Sequence, residues 1–108
     1  MPTQWIPAAL AAALALVASA VQADPERGRQ KAQMCATCHG PMGIASMPNT
    51  PHLAAQPEVY VREQLKAYSS GKRSHDIMTL IAKPLTDAEI DDLAAWYASL
   101  KIEVGPAR

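Results

Sequence analysis

Cys35-Ala36-Thr37-Cys38-His39 brings two thiols and an imidazole within five residues. On a helical turn, positions i and i+3 share a face, so both sulfurs can meet one flat ring. Each thiol can add across a vinyl group of a porphyrin and leave a thioether. His39 follows directly, so its imidazole can reach a central iron from the same side. Two cysteines at this spacing with a histidine next in line form the attachment signature of a c-type haem.

An iron held in this way for electron transfer needs a second strong ligand, and Met or His are the usual choices. The candidates are Met34, Met42, Met47, Met78, His52 and His75. Met34 precedes Cys35 by one position and cannot cross to the far face of the ring. Met42 follows His39 too closely to go round the porphyrin edge. Met78 lies far down the chain, beyond a predicted helix that could wrap the ring, and is followed by an apolar stretch and Pro84. Met78 is therefore the expected distal ligand, with Met47 second and His75 third. His52 and His75 otherwise read as exposed loop residues.

The same cysteines have other chemistries open to them. In an oxidising compartment they could form a disulfide. A thiol–disulfide oxidoreductase would set them in a βαβ unit, and this sequence has no β pattern. A zinc site would take three adjacent ligands within five residues, which suits tetrahedral geometry poorly. A haem with an open or displaceable distal position, acting on peroxide or binding gas, is a further alternative. Met78 and the lack of a distal acid–base group argue against it.

Residues 1–23 contain no charged side chain, and Ile6 to Val21 is almost wholly apolar. The run ends in Val21-Gln22-Ala23, a small-x-small step before Asp24. This pattern predicts a secretory signal peptide over 1–23 and a single domain over 24–108. The n-region lacks Lys and Arg, so an uncleaved anchor is the alternative. All ten basic and ten acidic side chains follow residue 23, leaving the domain formally neutral. That balance gives no footing for nucleic acid, which favours a strongly basic face. A domain this small often needs a cofactor to complete its core, and the absence of Phe fits a core built partly from porphyrin.

The elements that must hold the site are helical. Asp24-Pro25-Glu26 predicts a helix start, with the helix running to about Met34 or Cys35. Residues 40–55, rich in Pro and Gly, read as a loop. Residues 57–70 suit a helix stopped by Gly71. A short helix is expected around Ile77–Ile81, ended by Pro84. Thr86-Asp87-Ala88-Glu89 is a capping box, and Ile90, Leu93, Ala94, Tyr97 and Leu100 follow at helical spacing. The acids Asp87, Glu89, Asp91 and Asp92 read as a helix-start feature favoured by the dipole. Lys72 and Arg73 sit at a helix end for the same reason, and Arg73 could also pair with a haem propionate. Lys66, Lys72, Arg73 and Lys83 read as a solvated face, with a weak basic docking rim as the alternative.

The chain resembles the class I cytochromes c of the short bacterial kind, the cytochrome c-five-five-three group and single domains of the dihaem cytochrome c-four group. The likeness rests on residues 35–40, on Pro51-His52-Leu53-Ala54-Ala55-Gln56, on 60–65, on Gly71-Lys72-Arg73, on Met78 and on the closing Leu85-Thr86-Asp87 to Leu100. It implies an all-α small cytochrome c fold, three to five helices wrapped around one covalent haem c and its iron. It implies that Cys35 and Cys38 carry the thioethers and that His39 and Met78 hold the iron. Pro51 would offer its carbonyl to the ring N–H of His39. Gly28 and Ala32 would let the first helix cross the last one closely, against Leu93 and Trp96. The family often has glycine where Ala55 stands, and an aromatic where Ala32 stands in longer relatives. The function implied is one-electron transfer in the periplasm. The partners would be a quinol-oxidising complex, a terminal oxidase, or a periplasmic reductase or dehydrogenase, of which this chain could also be a subunit. Membrane contact would be limited to transient docking unless the signal stays uncleaved.

Overall fold

The computed structural model describes residues 1–5, 12–17, 19 and 21–107. Much of the apolar run predicted as the core of a signal peptide lies outside these residues. Among the described residues there is no strand, and no helix is long and apolar enough to cross a membrane.

Five helices follow Asp24. Helix α1 spans Pro25–Lys31, α2 Ala36–His39, α3 Glu58–Ser70, α4 Met78–Ala82 and α5 Asp87–Ser99. The Asp24 carboxylate caps α1 by accepting the Glu26 N–H, and Pro25 occupies the first helical position. The first helix does not run unbroken into the cysteine motif. It tightens into a 3₁₀ turn at Ala32–Met34 before α2 restarts at Ala36. Such tightening is a common way to end a helix, and here it sets Cys35 at the junction. Pro57 stands one residue outside α3, where its fixed φ and missing N–H cost nothing. Gly71 ends α3 in the left-handed conformation, φ 83°. The capping box of α5 is complete: Thr86 Oγ1 accepts the Glu89 N–H at 3.1 Å, and the Glu89 carboxylate accepts the Thr86 N–H at 3.0 Å.

The helices α1 and α5 cross, α3 packs on α5, and α4 packs on α3. Ala32, Ala54, Val61, Leu93, Ala94, Tyr97 and Leu100 form the buried core. Gly28 makes the crossing possible. A Cβ there would sit 1.9 Å from the Asp92 carbonyl oxygen and 2.8 Å from Trp96 Cβ. Backbone therefore meets backbone at Gly28, so Asp92 and Trp96 are its neighbours, while Leu93 shares the buried cluster with Ala32.

The acids of α5 do more than favour its dipole. Glu89 pairs with Lys31, Asp91 with Arg62, and Asp92 with Arg27. Asp92, the only one of them that is buried, is 8% exposed. Three of the four acids thus tie α5 to α1 or α3.

Candidate haem site

Cys35 closes the turn that carries the motif. Its carbonyl accepts the N–H groups of Cys38 and His39, at 3.3 and 2.9 Å. Both sulfurs are free thiols, not bonded to each other. Burial pushes the Cys35 thiol up, opposed by the nearby Tyr97 hydroxyl and the Lys31 ammonium. A thiol held in its neutral form is a poor redox nucleophile.

His39 is buried, and its Nδ1 lies 2.9 Å from the Pro51 carbonyl oxygen. That oxygen can only accept, so Nδ1 carries the proton and donates it. In the neutral imidazole, Nε2 is then left with its lone pair free for a metal. The loop between them is built to return. The Gly43 carbonyl accepts the N–H groups of Leu53 and Ala54, at 2.7 and 3.0 Å. Gly43 has φ 73°, and a Cβ there would meet Ala54 N at 2.7 Å. Ser46 fastens the other side, its N–H donating to the Cys38 carbonyl and its hydroxyl to the Thr37 carbonyl. His52 is exposed, and its Nδ1 accepts the Ala45 N–H at 2.8 Å, which ties up this same loop.

Met78 is half-buried at the first position of α4. Met47 and Met42 stand more open in the loop, 47% and 57% exposed. His75, expected as an exposed loop residue or third-choice ligand, has a structural part. Its Nδ1 accepts the N–H groups of Ile77 and Met78, at 3.1 and 3.2 Å. In return, Thr79 Oγ1 accepts the His75 N–H at 3.0 Å. This reciprocal cap fixes where Met78 begins its helix. The signal was present in the spacing of His75 and Thr79 around Met78, a histidine standing in for the usual Ser, Thr or Asp.

Arg73 is exposed. It donates from Nη1 to Gln64 Oε1 at 2.6 Å, and its guanidinium lies 4.7 Å from the centre of the Tyr68 ring. Lys66, Lys72 and Lys83 are likewise exposed.

The residues present fit a covalently held haem. Two free thiols and an oriented imidazole share one turn. The Tyr97 hydroxyl is buried without a hydrogen-bond partner, close to Cys35. Burial pushes this phenol far up, so it stays protonated. Ile77 and Leu80, on and before the short helix α4, are 56% and 71% exposed. Apolar surface of this kind suits a site whose facing wall is a bound hydrophobic group. Among the described residues no group of three His, Cys, Asp or Glu side chains is placed to hold a metal ion by itself.

An all-α domain with two thiols and a buried, oriented imidazole on one turn defines a haem-attachment protein. Residues 25–101 match the cytochrome c family. The chain belongs to that family, and covalently bound haem c with its iron is the family's cofactor. It is 40% identical over 84 residues to cytochrome c4 of Pseudomonas aeruginosa, covering 78% of this chain and 42% of that one. It is 37% identical over 91 residues to a thiosulfate dehydrogenase electron acceptor of Thiomonas intermedia, covering 83% of this chain and 40% of that one. The crystal structure of reduced cytochrome c4 from Pseudomonas stutzeri superposes with a TM-score of 0.71 at 36% identity, over 80% of this chain and 50% of that one. This chain thus spans about half the length of these relatives, and it carries one cysteine pair.

Proposed function

We propose that this chain is a periplasmic cytochrome with a single haem, carrying one electron at a time between redox proteins. Cys35 and Cys38 would hold the porphyrin through thioethers, and His39 and Met78 would ligate its iron. The observation that carries this reading is the geometry of His39. Its Nδ1 proton is committed to Pro51 at 2.9 Å, on the turn that holds both free thiols.

The haem supplies an iron that accepts and releases one electron. The chain supplies the groups that would hold and orient it. Pro51 fixes the tautomer and plane of the His39 ring, and the bond strengthens the imidazole as a donor. His75 and Thr79 set the start of α4 and hence the position of Met78. A thioether ligand favours the reduced iron. Burial works in the same direction, because it penalises the extra positive charge of the oxidised form. Two covalent tethers limit movement between the two states. Arg73, steadied by Gln64 and Tyr68, retains guanidinium N–H groups for a propionate.

The leader over 1–23, cleaved after Ala23, places the domain in the periplasm. Donor and acceptor would be drawn from quinol-oxidising complexes, terminal oxidases, and periplasmic reductases or dehydrogenases. The relative named as an electron acceptor of thiosulfate dehydrogenase supports the dehydrogenase class. Met78→Ala tests the ligand assignment. It should leave the haem attached, abolish the sulfur–iron absorption band at the red end, and lower the reduction potential by ~100 mV or more, within the range axial ligands control. An unchanged potential with the band intact would reject Met78 as the ligand.

A further inference from the structure

We propose that cleavage after Ala23 creates an ion pair, in which the new α-ammonium group of Asp24 docks on the buried carboxylate of Asp92 and fastens α1 to α5. The inference rests on the cleavage reading above and goes beyond it by giving the new terminus a receptor.

In the intact chain the Asp24 backbone nitrogen already lies 2.8 Å from Asp92 Oδ1. The same carboxylate accepts from Arg27 Nε at 2.9 Å and from Arg27 Nη2 at 3.1 Å. Arg27 also pairs with the Asp24 side chain at 3.3 Å, and its Nη2 donates to the Gln22 carbonyl at 2.6 Å. Two carboxylates therefore share one guanidinium before processing, leaving the cluster one negative charge in excess. Hydrolysis of the Ala23–Asp24 bond adds water across it. The carboxylate leaves with the leader, and the amine stays and takes up a proton. The cluster then holds two cations against two anions. The amide–carboxylate bond becomes charge-assisted on both sides, the stronger kind. The Gln22 carbonyl is lost, so Arg27 keeps only its carboxylate partners.

The other charges around the group are already engaged. On α5, Asp91 is held by Arg62. On α1, Glu26 is held by Arg29. The guanidinium of Arg27 holds the Asp92 carboxyl below the usual carboxylate range, so Asp92 is charged whenever the ammonium is. An amine stabilised by this carboxylate titrates higher in the folded than in the unfolded protein. Its contribution is then fully present below the ordinary α-amino value of about 7.7–8.0 and is lost as pH rises through the folded value.

The test uses exported holoprotein in two forms, one beginning at Asp24 and one retaining Gln22-Ala23 through a shifted cleavage site. At pH 6–7 the Asp24 form should show a folding equilibrium constant roughly three- to tenfold larger, the scale separating neutral from charge-assisted bonds. That ratio should fall toward one at high pH. Asp92→Asn should erase both the advantage and its pH dependence. Direct NMR titration of the Asp24 amine decides the matter if that variant does not fold, and an amine titrating above the range of a free terminus is expected. Equal stability of the two forms, or an amine at or below the free range, overturns the inference while leaving cleavage intact. A mass placing the exported terminus elsewhere than Asp24 overturns the cleavage reading and this inference with it.

Discussion

Replacing Gly28 with alanine puts a methyl group where the backbone of α5 already stands. The added Cβ would be 1.9 Å from the Asp92 carbonyl oxygen and 2.6 Å from its carbon. Restoring an ordinary contact of 3.4 Å requires α1 and α5 to part by about 1.5 Å, and a gap of ~1 Å already forfeits about half of a dispersion well. The packing at risk is the buried cluster that holds Ala32, Leu93 and Tyr97. Alanine would regain about 1 kcal/mol of helix propensity over glycine. Overpacking of a rigid contact costs about 1–3 kcal/mol and sometimes more, and here the parting helices also strain the ion pairs at Asp92 and Glu89. A clash this deep against rigid backbone stands at or above the top of that range, so the net expectation is a loss of about 2 kcal/mol or more, which lowers a urea midpoint by roughly 1–2 M for a domain of this size. Urea unfolding of the exported holoprotein, followed by Soret absorbance and far-UV dichroism, reads it. Gly71→Ala is the control. Gly71, unlike Gly28, has positive φ, 83°, and nothing stands within 4 Å of its added Cβ, so its replacement should cost only the ~1–2 kcal/mol of a left-handed alanine. A Gly28→Ala protein as stable as the wild type, or less affected than Gly71→Ala, would refute the backbone crossing.

Ala55→Gly should stabilise the domain. Ala55 sits at φ 62° while its N–H donates to the Tyr97 carbonyl at 2.9 Å, so glycine relieves ~1–2 kcal/mol of left-handed strain and returns about 0.5–1 kcal/mol in chain entropy. The urea midpoint should rise slightly, and a fall would show that the conformation carries no strain. His75→Ala should remove the cap of α4, worth about 1 kcal/mol. Met78 should then be displaced more readily by an added ligand such as imidazole, and an unchanged ligand affinity would show that His75 does not position Met78.

The sequence carried the parts governed by local rules. The start of α1 at Asp24-Pro25, the stop at Gly71 and the capping box of α5 are all short-range chemistry, and the structure has each of them. The family resemblance supplied the close crossing of Gly28 and Ala32 against Leu93 and Trp96, and Trp96 does stand beside Gly28, but it gave no sign of the Asp92 backbone that comes closest. No side-chain pattern reports a backbone-to-backbone contact. The acids of α5 were legible only as a run beside a helix start. Their cations, Lys31, Arg62 and Arg27, lie on other helices, and pairing across the fold leaves no local signature. The 3₁₀ turn before Cys35 was also hidden, because Ala32, Gln33 and Met34 are all good helix formers. The glycine common in the family at position 55 acquires a physical reason in the positive φ of Ala55.

Every other assignment depends on the cofactor being bonded to Cys35 and Cys38. Intact mass of the exported protein, combined with a pyridine haemochrome spectrum, measures this directly. The expected result is a polypeptide beginning at Asp24 with one haem added and the spectrum of a haem whose two vinyl groups are saturated. A mass equal to the bare chain, or a haem that extracts into acid–acetone, would contradict it.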